Sequence, residues 1–272
     1  MSSLLSSIAV LFYVLSAIYF SIRFFFKKER MRHLGFLFLL IAVFTHALEL
    51  LVFGLDQHRF PAATLTEAFS LLTALMMSLY LFFFARRKDM DAIGVALLPI
   101  TIVSLILNIA GAGEENAILD PVLRGGWIYV HIPLMILSVA ALSISFIMAV
   151  MYLIQEKQLK SKHPAFFYYR LPSLEVCEDI SYRALWSGFF LLTFGILTGM
   201  VWSKYLRGVY WSWDYKEIWA ALTWILYAIL LHGRTLSAWR GRKAAYFAII
   251  GFAFILFAFA GVSVVFKSYH TF

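Results

Sequence analysis

With 62% hydrophobic and only 14% charged residues among its 272, and a mean hydropathy of +0.84, the chain carries more apolar surface than a soluble fold can bury, since soluble domains hold about 25% charged residues. A net charge of +8 raises the question of nucleic acid, but the basic residues sit where membrane topology accounts for them, so no nucleic-acid partner is expected. Hydrophobic runs near the ~20 residues that cross a bilayer recur from end to end, and the reading is one all-α domain over 1–272, a polytopic transmembrane helical bundle of eight spans.

In chain order, the first span covers 4–26. It lacks a basic segment ahead of it and a small-residue cleavage site behind it, so it reads as a retained helix and not as a signal peptide. The second, 34–53, carries His46 and, one turn on, Glu49. A carboxylate at that depth is costly unless paired or protonated, and a contact with Glu49, a proton site and an iron ligand are all open readings of His46. The third span, 65–85, opens on Thr64-x-x-Glu67, which fits a capping box. After the fourth, 92–110, an outer connection holds Arg124.

The fifth span, 127–154, begins at Trp127, with His131 one turn further along the same face. The connection over 155–183 is the longest on the inner side, long enough to hold an interfacial helix, and contains the single cysteine, Cys177. One cysteine allows no disulfide and no CxxC pair, and CxxCH is absent, which excludes covalent c-type haem. The sixth span, 184–202, ends at Trp202 and is followed by an aromatic outer loop over about 203–217. The seventh, 217–232, ends at His232, and after the eighth, 244–266, comes a tail with His270.

Lys and Arg cluster on alternate connections: Arg23 to Arg32, Arg86 to Lys88, Lys157 to Arg183, and Arg234 to Lys243. By the positive-inside rule these are cytoplasmic, which puts both termini outside. His33, His58 and His163 fall in polar connections and read as solvated.

The outer loop reads Gly208-Val209-Tyr210-Trp211-Ser212-Trp213-Asp214-Tyr215-Lys216-Glu217, with Trp202 before it and Trp219 and Trp224 after it. An interfacial aromatic belt accounts for the rings, though not for Asp, Lys and Glu among them. Clustered indoles also suit stacking on a large planar ligand, and Lys204, Arg207, Lys216 and Arg124 suit pairing with its carboxylates. Haem is such a ligand, and histidine is a common ligand of its iron. On this reading His131 and His270 are candidate axial ligands at the outer face, and Trp127, Trp202, Trp211, Trp213 and Asp214 line the platform. His46 and His232 form a possible second pair, although helical rise sets them roughly 10 Å apart in depth.

The segment from Gly208 to Glu217 resembles the tryptophan-rich WWD signature of the haem-handling proteins of cytochrome c assembly, the CcsA, CcmC and CcmF group. In that family two histidines flanking the loop ligate haem on the outer side, and the matching positions are His131 and His270. A further histidine near the inner end of the helix after the motif matches His232 in Leu231-His232-Gly233-Arg234, and an acidic residue opening an early helix matches Glu67. The resemblance implies non-covalent b-type haem, a multi-pass protein of the cell's inner or cytoplasmic membrane, and apocytochrome c or a CcsB-like protein as partner. The ending Lys267-Ser268-Tyr269-His270-Thr271-Phe272 departs from the family pattern of Ser and Tyr after the histidine, and no CcsB-like part is found. The expectation is therefore a haem-binding or haem-moving module and not a complete lyase, most similar in length to the short HemX and YpjD-like members. Two other roles stay open: a regulatory or scaffolding protein acting on haem-biosynthesis proteins, and a transporter of another small molecule.

Overall fold

The computed structural model describes residues 2–26, 31–111, 126–161, 166–235 and 239–261. Among them it is all-helical, with eight α-helices: α1 Ser2–Phe26, α2 Met31–Asp56, α3 Leu65–Phe83, α4 Asp91–Gly111, α5 Ile128–Lys160, α6 Leu174–Arg207, α7 Tyr215–Thr235 and α8 Arg242–Leu256. A helix satisfies its own backbone hydrogen bonds, which is what an apolar segment in lipid requires. Seven of the eight, α8 being taken with the turn that continues it to Gly261, are long and apolar enough to cross a membrane. The exception, α7, is 21 residues long, but Lys216, Glu217, His232 and Arg234 cluster at its ends and Trp219, Thr223, Trp224 and Tyr227 interrupt its middle. The expected eighth span, 244–266, is described as α8 running into a π-helical turn, Phe257–Gly261.

Two connections are shorter than their sequence ranges. α5 continues to Lys160 and α6 starts at Leu174, with a 3-10 turn at Phe166–Tyr169 between them, so the 155–183 segment is helical at both ends. On the other side α6 continues to Arg207, where Gly208, with φ 75°, ends it by donating its N–H to the Lys204 carbonyl, a left-handed C-terminal cap that glycine adopts without steric cost.

The chain forms two compact units, Met1–Leu123 and Arg124–Phe272. In the first, α1 packs on α2 and α4, and α3 on α4 and α2. Arg23 of α1 pairs with Asp91 of α4 at 2.8 Å, both buried, and Tyr80 of α3 lies over Gly94 of α4.

In the second unit the principal seam joins α5 to α6. Ser145 donates to the Ser181 carbonyl at 3.0 Å, and Ser138 donates to the Gly188 carbonyl at 2.8 Å. Leu142 lies over Gly188, Met135 over Gly195, and His131 over Gly199. Ser181, Gly188, Gly195 and Trp202 recur every seven residues along α6, so one stripe faces α5 throughout. Small residues let the two backbones approach, and in a membrane, where burial of apolar surface supplies little drive between helices, such close packing and cross-helix hydrogen bonds hold the pair together. α8 closes the unit, with Phe252 stacked on Phe146 of α5 at 4.4 Å and Phe254 and Phe257 against Trp219 of α7.

Candidate functional site

His131 lies one turn into α5, with Pro133 two residues on and Gly195 opposite. Its Nδ1 is 2.9 Å from the Gly195 carbonyl oxygen and 3.4 Å from Thr198 Oγ1. A carbonyl oxygen only accepts, so the shorter contact requires a proton on Nδ1, and the lone pair of the neutral ring then resides on Nε2. The half-buried ring sits beside the buried indole of Trp202, with centroids 5.9 Å apart. Thus α6 settles one nitrogen of His131, and the helix end from which the aromatic loop departs is one turn away.

The non-helical part of that loop is 208–214, and a polar clasp closes it. Arg207 Nη1 donates to Ser212 Oγ at 2.8 Å, while Ser212 N–H and Oγ donate to the two carboxylate oxygens of Glu217 at 2.8 and 2.9 Å. Lys204 Nζ donates to the Gly208 carbonyl at 2.7 Å and lies over the Tyr210 ring. Of the charged residues that a simple belt leaves unexplained, Glu217 therefore shapes the loop, and with Arg207 it ties the two ends together. Asp214 is buried, and its carbonyl accepts the Ile218 N–H at the start of α7.

Within the loop, Trp211 and Trp213 meet edge to face at 6.2 Å. Trp213 is 76% exposed and has φ 60°, a left-handed conformation costing a non-glycine residue roughly 1–2 kcal/mol. The clasp thus holds a large indole outward in a conformation the residue does not favour. Trp202 is inward, against His131, whereas Trp219 and Trp224 pack within the helices; Trp224 Nε1 donates to Thr193 of α6 at 2.9 Å. The aromatic residues divide into an exposed group, with Tyr205, Tyr210, Trp213 and Tyr215, and a packing group that the sequence did not separate. Trp127, at the start of α5, is 40% exposed; Lys216 is half-buried in the first turn of α7. Arg124 and His270 lie outside the described residues.

In the first unit His46 is fully buried. Its Nδ1 shares a hydrogen bond with Tyr13 OH at 3.3 Å and its Nε2 one with Ser70 Oγ at 3.0 Å, so both ring nitrogens are engaged by α1 and α3. Glu49 is buried too, and among the described residues its Oε2 has no hydrogen-bond partner. Glu67 combines two roles: Thr64 Oγ1 caps α3 by accepting the Glu67 N–H, and the carboxylate accepts the Ala63 N–H and both terminal nitrogens of Arg59, at 2.6 and 2.7 Å. That bond raises the pKa of the Arg59 guanidinium further, against the opposing effect of burial. In the second unit His232 is exposed near the end of α7, while its neighbour Arg234 is buried against Glu178 and over Tyr182. Among the described residues no group of three or more His, Cys, Asp or Glu could hold a bare metal ion.

The fold and this site define a multi-pass helical membrane protein in which a clasped aromatic loop stands beside a helix-held imidazole. Residues 62–270 match the cytochrome c assembly protein family. The chain belongs to that family. It is similar to the cytochrome c biogenesis protein CcsA of Guillardia theta, at 31% identity over 98% of this chain and 95% of that protein. A CcsA of Mesostigma viride is 28% identical over 90% of this chain and 88% of its own length. The fold is shared with a solved cytochrome c haem lyase CcmF at TM-score 0.66 and 19% identity, aligned over 99% of this chain. This chain spans 47% of the length of that lyase.

Proposed function

We propose that the protein works in cytochrome c biogenesis by holding haem at the outer face of the cell's inner or cytoplasmic membrane, with His131 and His270 as axial ligands and Trp211, Trp213 and Asp214 forming the platform. The observation that carries this reading is the His131 geometry. A ring whose Nδ1 donates to a backbone carbonyl offers Nε2 as the electron-pair donor, the usual arrangement of a metal-bound histidine. The residues also fit the size and polarity of the group, because an outward indole, a buried indole beside the imidazole and basic side chains at the loop ends suit a flat apolar ring with two carboxylates. Bound haem, non-covalent and b-type, supplies an iron centre and two vinyl groups. The protein's residues orient it, shield one face of it and fix the proton on the His131 imidazole away from the metal.

The reading carries eight spans with both termini outside, so that the loop over 203–217 faces the compartment where apocytochrome c is met. Apocytochrome c and a CcsB-like protein are the expected partners. Similarity over nearly the whole length of CcsA proteins supports biogenesis over a regulatory role toward haem-biosynthesis proteins or transport of another molecule.

The test is the absorption spectrum of the purified protein, oxidised and reduced. A low-spin spectrum is expected, converted to a five-coordinate one in His131→Gly and restored by free imidazole. Absence of haem after expression in haem-replete cells would overturn the assignment. For topology, a reporter active only in the cytoplasm, fused at the C-terminus, is expected to be silent; a strong signal would place the aromatic loop on the inner face.

A further inference from the structure

The outer end of α6 presents Gly195, Thr198, Gly199 and Trp202 at positions i, i+3, i+4 and i+7, one face of the helix. All four meet the same imidazole. The Gly195 carbonyl lies 2.9 Å from His131 Nδ1, Thr198 Oγ1 lies 3.4 Å from it, and the Trp202 ring flanks it. A methyl group on Gly199 would stand 2.8 Å from His131 Cε1 and 3.2 Å from Nδ1. Real β-carbons do not approach a ring that closely, so this position keeps the imidazole against the backbone only while it has no side chain. Thr198 adds a second effect, since its single hydroxyl proton lies between the Gly195 carbonyl oxygen, at 2.8 Å, and the Phe194 carbonyl oxygen, at 2.9 Å. The oxygen that accepts from His131 is thereby shared with Thr198.

We infer that this face of α6 is a cradle built for one imidazole, in which Gly199 and Thr198 are positioning residues that aim His131 Nε2 at haem iron and tune its strength as a ligand. The inference rests on the outer-site reading above, and it specifies which helix, which nitrogen and which neighbours make His131 a ligand. Outer partners of metal-bound histidines hold the ring and raise its basicity, and their loss costs 10–100-fold in metal affinity.

Two substitutions act on the cradle in different ways. Gly199→Ala pushes the ring off its seat, so haem binding is expected to weaken about tenfold, with part of the population five-coordinate and restored to low-spin by free imidazole. Thr198→Val keeps the shape and removes the competing hydroxyl. His131 then donates more strongly to Gly195, its Nε2 becomes the better electron donor, and the midpoint potential of the bound haem is expected to become more negative. Gly188→Ala is the packing control. It inserts the same methyl group into the same seam, under Leu142 and away from His131, and is expected to lower thermal stability while leaving the spectrum and the potential of the haem that binds unchanged.

The experiment measures spectra, haem affinity and midpoint potential for these three proteins and His131→Gly side by side, with helix content by circular dichroism as the check on folding. If Gly199→Ala fails to fold, the potential of Thr198→Val decides. If His131→Gly alters the spectrum while Gly199→Ala binds as the parent does, or while Thr198→Val leaves the potential unchanged or raises it, the cradle is overturned and the outer-site reading stands. If His131→Gly leaves spectrum and occupancy intact, the outer-site reading falls, and the cradle with it.

Discussion

Two histidines, one in each compact unit, show how a similar helical setting leads to different hydrogen bonding. His46 is enclosed by α1 and α3, with Tyr13 on one ring nitrogen and Ser70 on the other. His131 has Nδ1 assigned to a backbone carbonyl, so that the electron pair of the neutral ring lies on Nε2. The first arrangement uses an imidazole as a bridge between helices, and the second uses the neighbouring helix to present an imidazole. The difference follows from what lies nearest each ring: hydroxyls, which donate or accept and can satisfy either nitrogen, in one case, and a carbonyl, which only accepts and is closer than the Thr198 hydroxyl, in the other.

The comparison is broken or sharpened most directly by removing His131. Loss of an outer partner already costs a metal site 10–100-fold, so loss of the ligand itself is expected to cost about 100-fold or more in haem affinity in His131→Gly, read by haem titration into the apoprotein. His46→Ala, in contrast, is expected to lower the free energy of unfolding by about 2–4 kcal/mol, because it leaves a cavity and buried hydroxyls that have lost a partner. Unfolding in mixed micelles measures the loss, and the haem spectrum of the folded fraction is expected to be unchanged. A spectral change in His46→Ala with none in His131→Gly would reverse the roles assigned to the two residues.

A smaller effect is expected at the platform. Trp211→Ala removes stacking area worth about 0.5–1.5 kcal/mol, a few-fold fall in haem occupancy with the spectral type retained, since axial ligands set the field at the iron. Unaltered occupancy would return the loop to the role of an interfacial belt. The smallest effect is expected at His58, exposed and at φ 49° in the connection after α2. His58→Gly relieves a left-handed conformation while freeing the unfolded chain, so stability is expected to move by less than ~1 kcal/mol, with no change in haem binding.

Arg59 and Glu67 illustrate how far local pattern carries. Thr64-x-x-Glu67 correctly signals the start of α3, for Thr64 does cap it. The pattern also suggests that the carboxylate returns to the cap, but the structure has it bound to Arg59 and the Ala63 N–H. A guanidinium eight residues upstream offers two bonds in which both partners are ionised, in place of one to an uncharged backbone N–H, and no periodicity in the sequence announces that the connection folds back. The raised Arg59 pKa has a clear sign: its stabilising contribution is fully present below the ordinary arginine value and is lost only in strong alkali, so this guanidinium gives no dependence on pH near neutrality.

Helix number and approximate limits were legible because lipid leaves an apolar segment few choices beyond helix, and length with composition marks such segments out. The aromatic loop and His131 were legible as unusual residues in an apolar chain. The sequence did not distinguish Trp213, exposed, from Trp202, Trp219 and Trp224, packed, because an indole serves both purposes and only its neighbours decide. Nor did it single out Gly195, Thr198 and Gly199. Their spacing places them on one face of α6, but glycines on one helical face are common in membrane proteins wherever helices approach closely. What those positions face is decided by the antiparallel register of α5 on α6, which brings residue 131 to residues 195–199 across 64 positions of chain. That register depends on which small residues interlock along the entire seam, a property of two helices together, and so the proton on His131 Nδ1 belongs to the tertiary structure, whereas the presence of an imidazole at the start of a long apolar helix belongs to the sequence.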